Sequence, residues 1–244
     1  MSIRTLPWPP GTPCWVDLAT SDAPAAKALY ASVLGWTWLA SRPEFHHYAN
    51  AQRDGHLTAG LVPMADAPQA WTVYVSSDDL DATVASITTA GGTVVAGPHP
   101  VGDLGSMVVA LDPNGAAFGA WQHGTFIGAE IVNQPGGLVW EDLRATDPAA
   151  ARAFYTTFAW PDGVPLGGLA EAPPGVPTGW LPCFLVPDTD VAAATTTEAG
   201  GGVLAPAFDT PWGRMVTLAD TTGAVFAVMG GSGDGTPDRA DQAG

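Results

Sequence analysis

Two short units of this sequence could do chemistry, Trp15-Val-Asp17 and Trp140-Glu-Asp142. On an extended chain alternate side chains share a face, so each aspartate lies beside its tryptophan on one side of a strand. A carboxylate on a largely apolar face loses solvation of its charged form. Its pKa then rises toward neutrality, where it can act as a general acid or base. Asp17 and Asp142 are therefore the candidate catalytic residues. The same placement suits a structural role, with each carboxylate held by backbone N–H groups or, for Asp142, by Arg144 nearby in sequence. Duplication at equivalent positions weighs toward structure, because only one copy needs to be active. Glu141, one place along, is expected to face outward or toward a second sheet.

The other chemistry-bearing residues are sparse. All five histidines, His46, His47, His56, His99 and His123, fall within residues 1–124. His46 and His47 are adjacent, so a strand would send them to opposite faces. One of them with His56 and Glu44 could make an irregular metal site. Solvent-facing or strand-edge histidines are the simpler reading, since no metal-ligand spacing is present. His99 and His123 sit beside Pro and Gly in loop contexts and carry no assignment. Cys14 and Cys183 form neither a disulfide framework nor a Cys-x-x-Cys unit.

The two Trp-x-Asp units belong to a repeat that spans the chain. Trp15, Asp17, Asp22 and Tyr30 recur as Trp140, Asp142, Asp147 and Tyr155, a constant offset of 125 residues. Farther on, Trp71, Asp79, Asp81 and Ala90-Gly91-Gly92 match Trp180, Asp188, Asp190 and Ala199-Gly200-Gly201, at an offset of 109. Gly105-x-Met107 and Asp112-x-x-Gly115-Ala116-x-Phe118 match Gly213-x-Met215 and Asp220-x-x-Gly223-Ala224-x-Phe226, at an offset of 108. The chain is thus two tandem copies of one domain, 1–124 and 125–230, followed by a polar, glycine-rich tail at 231–244 expected to be disordered. The drop from 125 to 109 means that the second copy is 16 residues shorter between Trp160 and Trp180. Matching Gly163–Leu169 to Gly55–Leu61 assigns the loss to one strand around Phe45–Tyr48, which predicts a more open cavity in that copy.

Each copy must position these residues with a mixture of strands and helices. Trp15-Val-Asp-Leu-Ala reads as a strand, and Asp22 with Pro24 starts a helix through Ala26, Leu29, Tyr30 and Val33. Asp147 and Pro148 state the same start in the second copy. Trp71–Val75 is strand-like, Asp79 or Asp81 caps a second helix, and Gly91-Gly92 ends it. Met107–Leu111, Asp112-Pro-Asn-Gly115 and Ala116–Trp121 read as a hairpin. Two βαβ-type halves with antiparallel ends per copy make an α+β fold.

Composition excludes several functions. Only 13% of residues are charged and 46% are hydrophobic, the balance of a folded chain. Net charge is −16, from 24 acids against 8 bases, and Lys27 is the one lysine. There is no basic stripe for nucleic acid and no attraction to an anionic membrane. No apolar run reaches the roughly 18 residues of a bilayer span, and the N-terminus lacks an apolar signal core. A cytoplasmic protein is expected.

The order of these elements, with Asp22…Leu29-Tyr30, Asp147…Phe154-Tyr155, Leu34-Gly35-Trp36, Asp79-Leu-Asp81 and Asp112-Pro-Asn-Gly115, resembles the vicinal oxygen chelate superfamily. That superfamily holds glyoxalase I, extradiol dioxygenases and bleomycin-resistance proteins. Pro13-Cys-Trp-Val-Asp-Leu and Gly137-Leu-Val-Trp-Glu-Asp-Leu are similar to tandem glyoxalase-like proteins of actinobacterial type. The resemblance implies paired βαβββ modules whose sheet curls into a cup, with metal ligands on the first, fifth and eighth strands. In this register those positions are Trp15, Thr72 and Gly119 in the first copy and Trp140, Leu181 and Ala227 in the second. Apart from a threonine hydroxyl none is a competent ligand, so no metal and no cofactor is expected.

Alternation then lines the first cup with Trp15, Asp17, Thr72, Tyr74, Met107, Val109, Gly119 and Trp121. The second is lined with Trp140, Asp142, Leu181, Cys183, Met215, Thr217, Ala227 and Met229. Aromatic, methionine and small residues around one acid suit a small-molecule site. Trp15, Thr72, Tyr74, Met107, Trp121, Trp140, Cys183 and Met215 are the candidate ligand contacts, while Trp15 and Trp140 could equally be core filling the vacated metal position. The leading reading is a metal-free binder of an aromatic or polycyclic metabolite, for resistance or secondary metabolism. The alternative is a metal-independent isomerase, lyase or hydroxylase using Asp17 or Asp142, assisted by Tyr74 or Tyr30. A metal-dependent enzyme built on His46, His47, His56 and Glu44 stands behind these, and a purely structural protein last. A tandem chain can complete its cups internally, so a monomer is expected, with a dimer as the other option.

Overall fold

The computed structural model describes residues 3–41, 43–159, 168–172 and 178–231. The tail from 232 onward and the stretch 163–167 lie outside them. The first copy opens with strand β1 (Pro13–Thr20) and helix α1 (Ala23–Leu34). Asp22 caps α1 by accepting a hydrogen bond from the Ala25 N–H at 3.0 Å, and Gly35 closes it in the left-handed conformation with φ 68°. Strands β2 (Thr37–Trp38), β3 (Ala49–Arg53) and β4 (His56–Pro63) complete the first module. The second module is β5 (Ala70–Ser76), helix α2 (Leu80–Thr89), β6 (Thr93–Pro100), β7 (Gly105–Leu111) and β8 (Ala117–His123). Of the two candidate caps, Asp79 serves α2 and Asp81 lies in its first turn.

These strands form one sheet in the order β2-β3-β4-β1-β5-β8-β7-β6. At its centre β1 runs parallel to β4 and antiparallel to β5, and β5 runs parallel to β8. The second copy repeats this with β9 (Leu138–Ala145), α3 (Pro148–Tyr155), β10 (Gly168–Glu171), β11 (Gly179–Val186), α4 (Thr189–Glu198), β12 (Gly202–Thr210), β13 (Gly213–Ala219) and β14 (Val225–Gly231). Its sheet order among the described residues is β10-β9-β11-β14-β13-β12. The α+β fold is thus present in tandem, with paired βαβββ modules in the first copy and, among the described residues of the second, a β9-α3-β10 unit followed by one βαβββ module.

The strand expected around Phe45–Tyr48 is not one. Pro43–Phe45 is a short 3₁₀ turn, and His46 and His47 have φ of 53° and 62°. Left-handed backbone at two successive residues breaks extended pairing, so the strand begins only at Ala49. His46 and His47 are exposed turn residues and do not stand on opposite faces of a strand.

The main core lies between the copies. Tyr30 and Trp36 of the first meet Phe226 and Phe184 of the second, and Phe118 of β8 packs on Phe154, Tyr155 and Phe158. Gly92 leaves room for the Phe154 ring, since a Cβ there would lie 2.8 Å from it. Among the described residues no helix is long and apolar enough to cross a membrane.

Candidate functional site

Cross-strand register brings the expected inward residues to one face of the first sheet. Trp15 pairs with Tyr74, Asp17 with Thr72 and Gly60, Tyr74 with Gly119, and Met107 with Trp121. On this face the Trp15 indole Nε1–H donates to the Tyr48 hydroxyl at 2.8 Å, and Tyr48 donates to Asp17 Oδ2 at 3.3 Å. Tyr74 also hydrogen-bonds the Asp17 carboxylate. Asp17 is only 8% exposed. Burial pushes its pKa up to about 7, with the two tyrosine hydroxyls opposing the shift by favouring the charged form. Two glycines make the space, because a Cβ on Gly60 would sit 1.7 Å from the Tyr48 oxygen and one on Gly119 would enter the Tyr74 ring.

The part of the first cup over Trp15 and Trp121 is covered by other aromatic rings. Phe126, from the linker between copies, packs edge-on against Trp15 with ring centroids 4.8 Å apart, and its carbonyl accepts the Trp121 Nε1–H at 2.9 Å. Trp8 of the N-terminal arm joins the same cluster. Sequence reasoning missed Tyr48 and Phe126 because both lie in irregular segments without periodicity. Tyr30, offered as an assisting group, is not in a cup: it is buried between the copies and bonded to Asp220.

The second cup is built differently over the same register. Trp140 pairs with Cys183, Asp142 with Leu181 and Gly168, and Met215 with Met229 and Phe208. Here the Trp140 Nε1–H donates directly to Asp142 Oδ1 at 2.7 Å. The carboxylate lies over Gly168, where a Cβ would be 1.8 Å from it, just as the Tyr48 hydroxyl lies over Gly60. Asp142 is half-buried. Burial raises its pKa, opposed by the Trp140 hydrogen bond, the charge of Arg144 and the Gly168 backbone. Cys183 is buried, and its thiol is pushed up by desolvation and by Asp142 and Glu141. Glu141 does not face outward: it is fully buried, on the face opposite Trp140 and Asp142.

One residue the sequence did not single out covers Trp140 in this cup. Trp212, in the turn between β12 and β13, stacks on Trp140 with centroids 5.6 Å apart and an interplanar angle of 22°. Trp212 is 43% exposed and Phe208, facing the same side as Met215, is 47% exposed. Single exposed apolar residues are ordinary, but Trp212 is stacked on the tryptophan that holds the Asp142 carboxylate. Two shallow surface grooves, one along Pro148, Arg152 and Leu169 and one at Ser86 and Thr157, carry neither a carboxylate nor an aromatic ring.

Residues 14–119 match the Glyoxalase/Bleomycin resistance protein/Dioxygenase superfamily. The chain is also 36% identical to the putative glyoxylase CFP32 of Mycobacterium tuberculosis, over 90% of this chain and 94% of that protein. The chain belongs to this superfamily. It is 34% identical to the anthracycline biosynthesis protein DnrV of Streptomyces peucetius, over 90% and 93% of the two chains. The Mn(II)-bound glyoxalase of Novosphingobium aromaticivorans shares the superfamily fold with a TM-score of 0.65 at 16% identity, covering 89% of this chain and 81% of that one.

Superfamily membership raises the question of a metal, and the cups do not fit one. The positions that the resemblance implies for metal ligands carry Trp15, Thr72 and Gly119 in one sheet and Trp140, Leu181 and Ala227 in the other. At Gly119 the space is taken by the Tyr74 ring. Among the described residues no three His, Cys, Asp or Glu side chains converge on a metal-sized site. His56 instead lies beside Glu130, with Nδ1 3.6 Å from Oε2. Indole, hydroxyl, apolar and glycine positions do not make the convergent imidazole and carboxylate set that a divalent ion needs.

Proposed function

We propose that this chain is a metal-free small-molecule binding protein of the superfamily, taking a flat aromatic or polycyclic metabolite in the second cup. The observation that carries the reading is the half-open Trp140–Trp212 stack beside Asp142. A planar ligand extends that stack, with a gain of about 0.5–1.5 kcal/mol per ring pair beyond the area it buries. Leu181, Cys183, Met215 and Met229 supply the apolar floor, and Asp142 is the polar anchor. The net charge of −16 draws cationic ligands toward the protein. The relative named for anthracycline biosynthesis supports the same reading. The first cup, where Phe126 covers Trp15 and Trp121, is secondary for this ligand. Sequestration or carriage needs no turnover, and because both copies lie in one chain we read it as a monomer.

The experiment is a titration of proflavine, a planar cation, followed by its fluorescence anisotropy. The wild type should bind saturably at one site. Trp212→Ala should weaken binding about tenfold or more, corresponding to about 1.4 kcal/mol, and Asp142→Asn should weaken proflavine more than an uncharged planar analogue. Equal binding by Trp212→Ala and wild type would contradict the reading.

A further inference from the structure

We propose that the first cup is a second, metal-free acid–base site, in which Asp17, Tyr48 and Tyr74 enolise a small ketone that carries an aryl group on its α-carbon. The three groups are brought together at the positions where the superfamily would place a metal: Tyr74 lies over Gly119, and Tyr48 reaches from the turn above Gly60 to the Asp17 carboxylate. Trp15 donates to the same Tyr48 oxygen, so its hydroxyl proton is directed onward. Such a chain of donors polarises each member in turn.

Packing alone does not require this cluster. The second copy builds the same central strands with Cys183 in the place of Tyr74 and Ala227 in the place of Gly119. Gly60 recurs as Gly168, but Gly119 and the two tyrosines are specific to the first copy. The approach is lined by Thr72, Met107 and Val109, all half-buried and on the same face. Tyr48 itself is half-buried and follows the exposed His46–His47 turn.

In the proposed step the ionised Asp17 carboxylate removes a proton from the carbon next to the ketone. The C–H electron pair becomes the C=C bond, and the carbonyl π pair moves to oxygen. The Tyr48 and Tyr74 hydroxyls, released from Asp17 as it becomes neutral, donate to that enolate oxygen. Asp17 then returns a proton to carbon: once its carboxyl proton has exchanged with solvent water, return to the same carbon gives hydrogen exchange, and return to a conjugated carbon gives isomerisation. Burial holds the Asp17 carboxyl near neutrality, the range where one group can take and return a proton.

The test uses 2-tetralone in D₂O with the full-length protein, reading loss of its benzylic C1 proton signal by NMR. Wild type should accelerate exchange saturably above buffer, with 2-naphthol, which mimics the enol, as competitor. Asp17→Asn should lower the rate about 100-fold or more, and Tyr48→Phe about tenfold. Asp66→Asn, on an exposed loop, should leave it unchanged. Near-UV circular dichroism reports whether Asp17→Asn keeps its packing. Should it not, Tyr48→Phe and a rate that rises with pH to a plateau near neutrality carry the test. Exchange by wild type no faster than buffer, or equal in wild type and a folded Asp17→Asn, overturns the proposal.

Discussion

The Tyr30 hydroxyl of the first copy donates to Asp220 Oδ2 of the second at 3.2 Å, and Tyr155 returns the bond to Asp112 Oδ2 at 3.3 Å. Each aspartate holds its own hairpin with its other oxygen, Asp220 through the Thr222 and Ala224 N–H groups and Asp112 through those of Asn114 and Ala116. Each tyrosine oxygen also accepts an indole N–H, from Trp71 at 3.2 Å and from Trp180 at 3.1 Å. The duplicated domains are thus locked by exchange of the same polar triad.

Removing one hydroxyl strands a buried indole N–H and a carboxylate oxygen. Tyr30→Phe and Tyr155→Phe should each cost about 1–3 kcal/mol in urea unfolding, and the pair should be close to additive because the two triads share no partner. Losses within error of zero would show that the triads do not hold the copies together.

Much of this was legible in the sequence, because the repeat compares two versions of each element. Asp22, Asp147, Asp79 and Asp188 mark helix starts that the structure confirms. The Trp15/Asp17 and Trp140/Asp142 faces follow from strand alternation. Tyr30, Tyr155, Asp112 and Asp220 were visible as matched residues, but local patterning cannot show that a tyrosine bonds the aspartate of the other copy. Tyr48, Phe126 and Trp212 sit in turns and the linker, where chain geometry and not periodicity sets direction. They set what covers Trp15 and Trp121 in one cup and what stacks on Trp140 in the other.

Stability should depend on pH through Asp17. Its carboxyl titrates at about 7 when folded, against about 3.9 in an unfolded chain. Between those values the folded protein keeps a proton that the unfolded chain has released, so stability falls as pH rises and levels off above about 7. The full span corresponds to at most about 4 kcal/mol. Asp17→Asn removes this slope, so in urea unfolding it should gain on wild type from about pH 4 to 7. Parallel pH profiles for the two proteins would contradict the buried, proton-holding carboxyl.

The paired glycines make a steric prediction. Gly60→Ala must displace the Tyr48 hydroxyl and Gly168→Ala the Asp142 carboxylate, at about 1–3 kcal/mol each from overpacking. Gly168→Ala should also disturb the Trp140–Asp142 hydrogen bond and weaken proflavine binding. Gly60→Ala should leave that binding intact. Equal effects of both variants on proflavine would place the ligand elsewhere.

Protein purified without chelator should carry far less than one equivalent of divalent metal by elemental analysis. Added Mn²⁺, Fe²⁺, Zn²⁺ or Ni²⁺ should leave Tm unchanged, because a bound metal would stabilise the fold by mass action. Stoichiometric metal, or a clear rise in Tm, would restore a chelate centre.

The most direct measurement is an indole N–H NMR spectrum of protein labelled at its ten tryptophans, recorded as proflavine is added. The account predicts that the Trp140 and Trp212 signals move first and together, while Trp36 and Trp71, buried between the copies, stay in place. Movement confined to Trp15 and Trp121 in the first cup, or no movement at saturating proflavine, would contradict a binding site in the second cup.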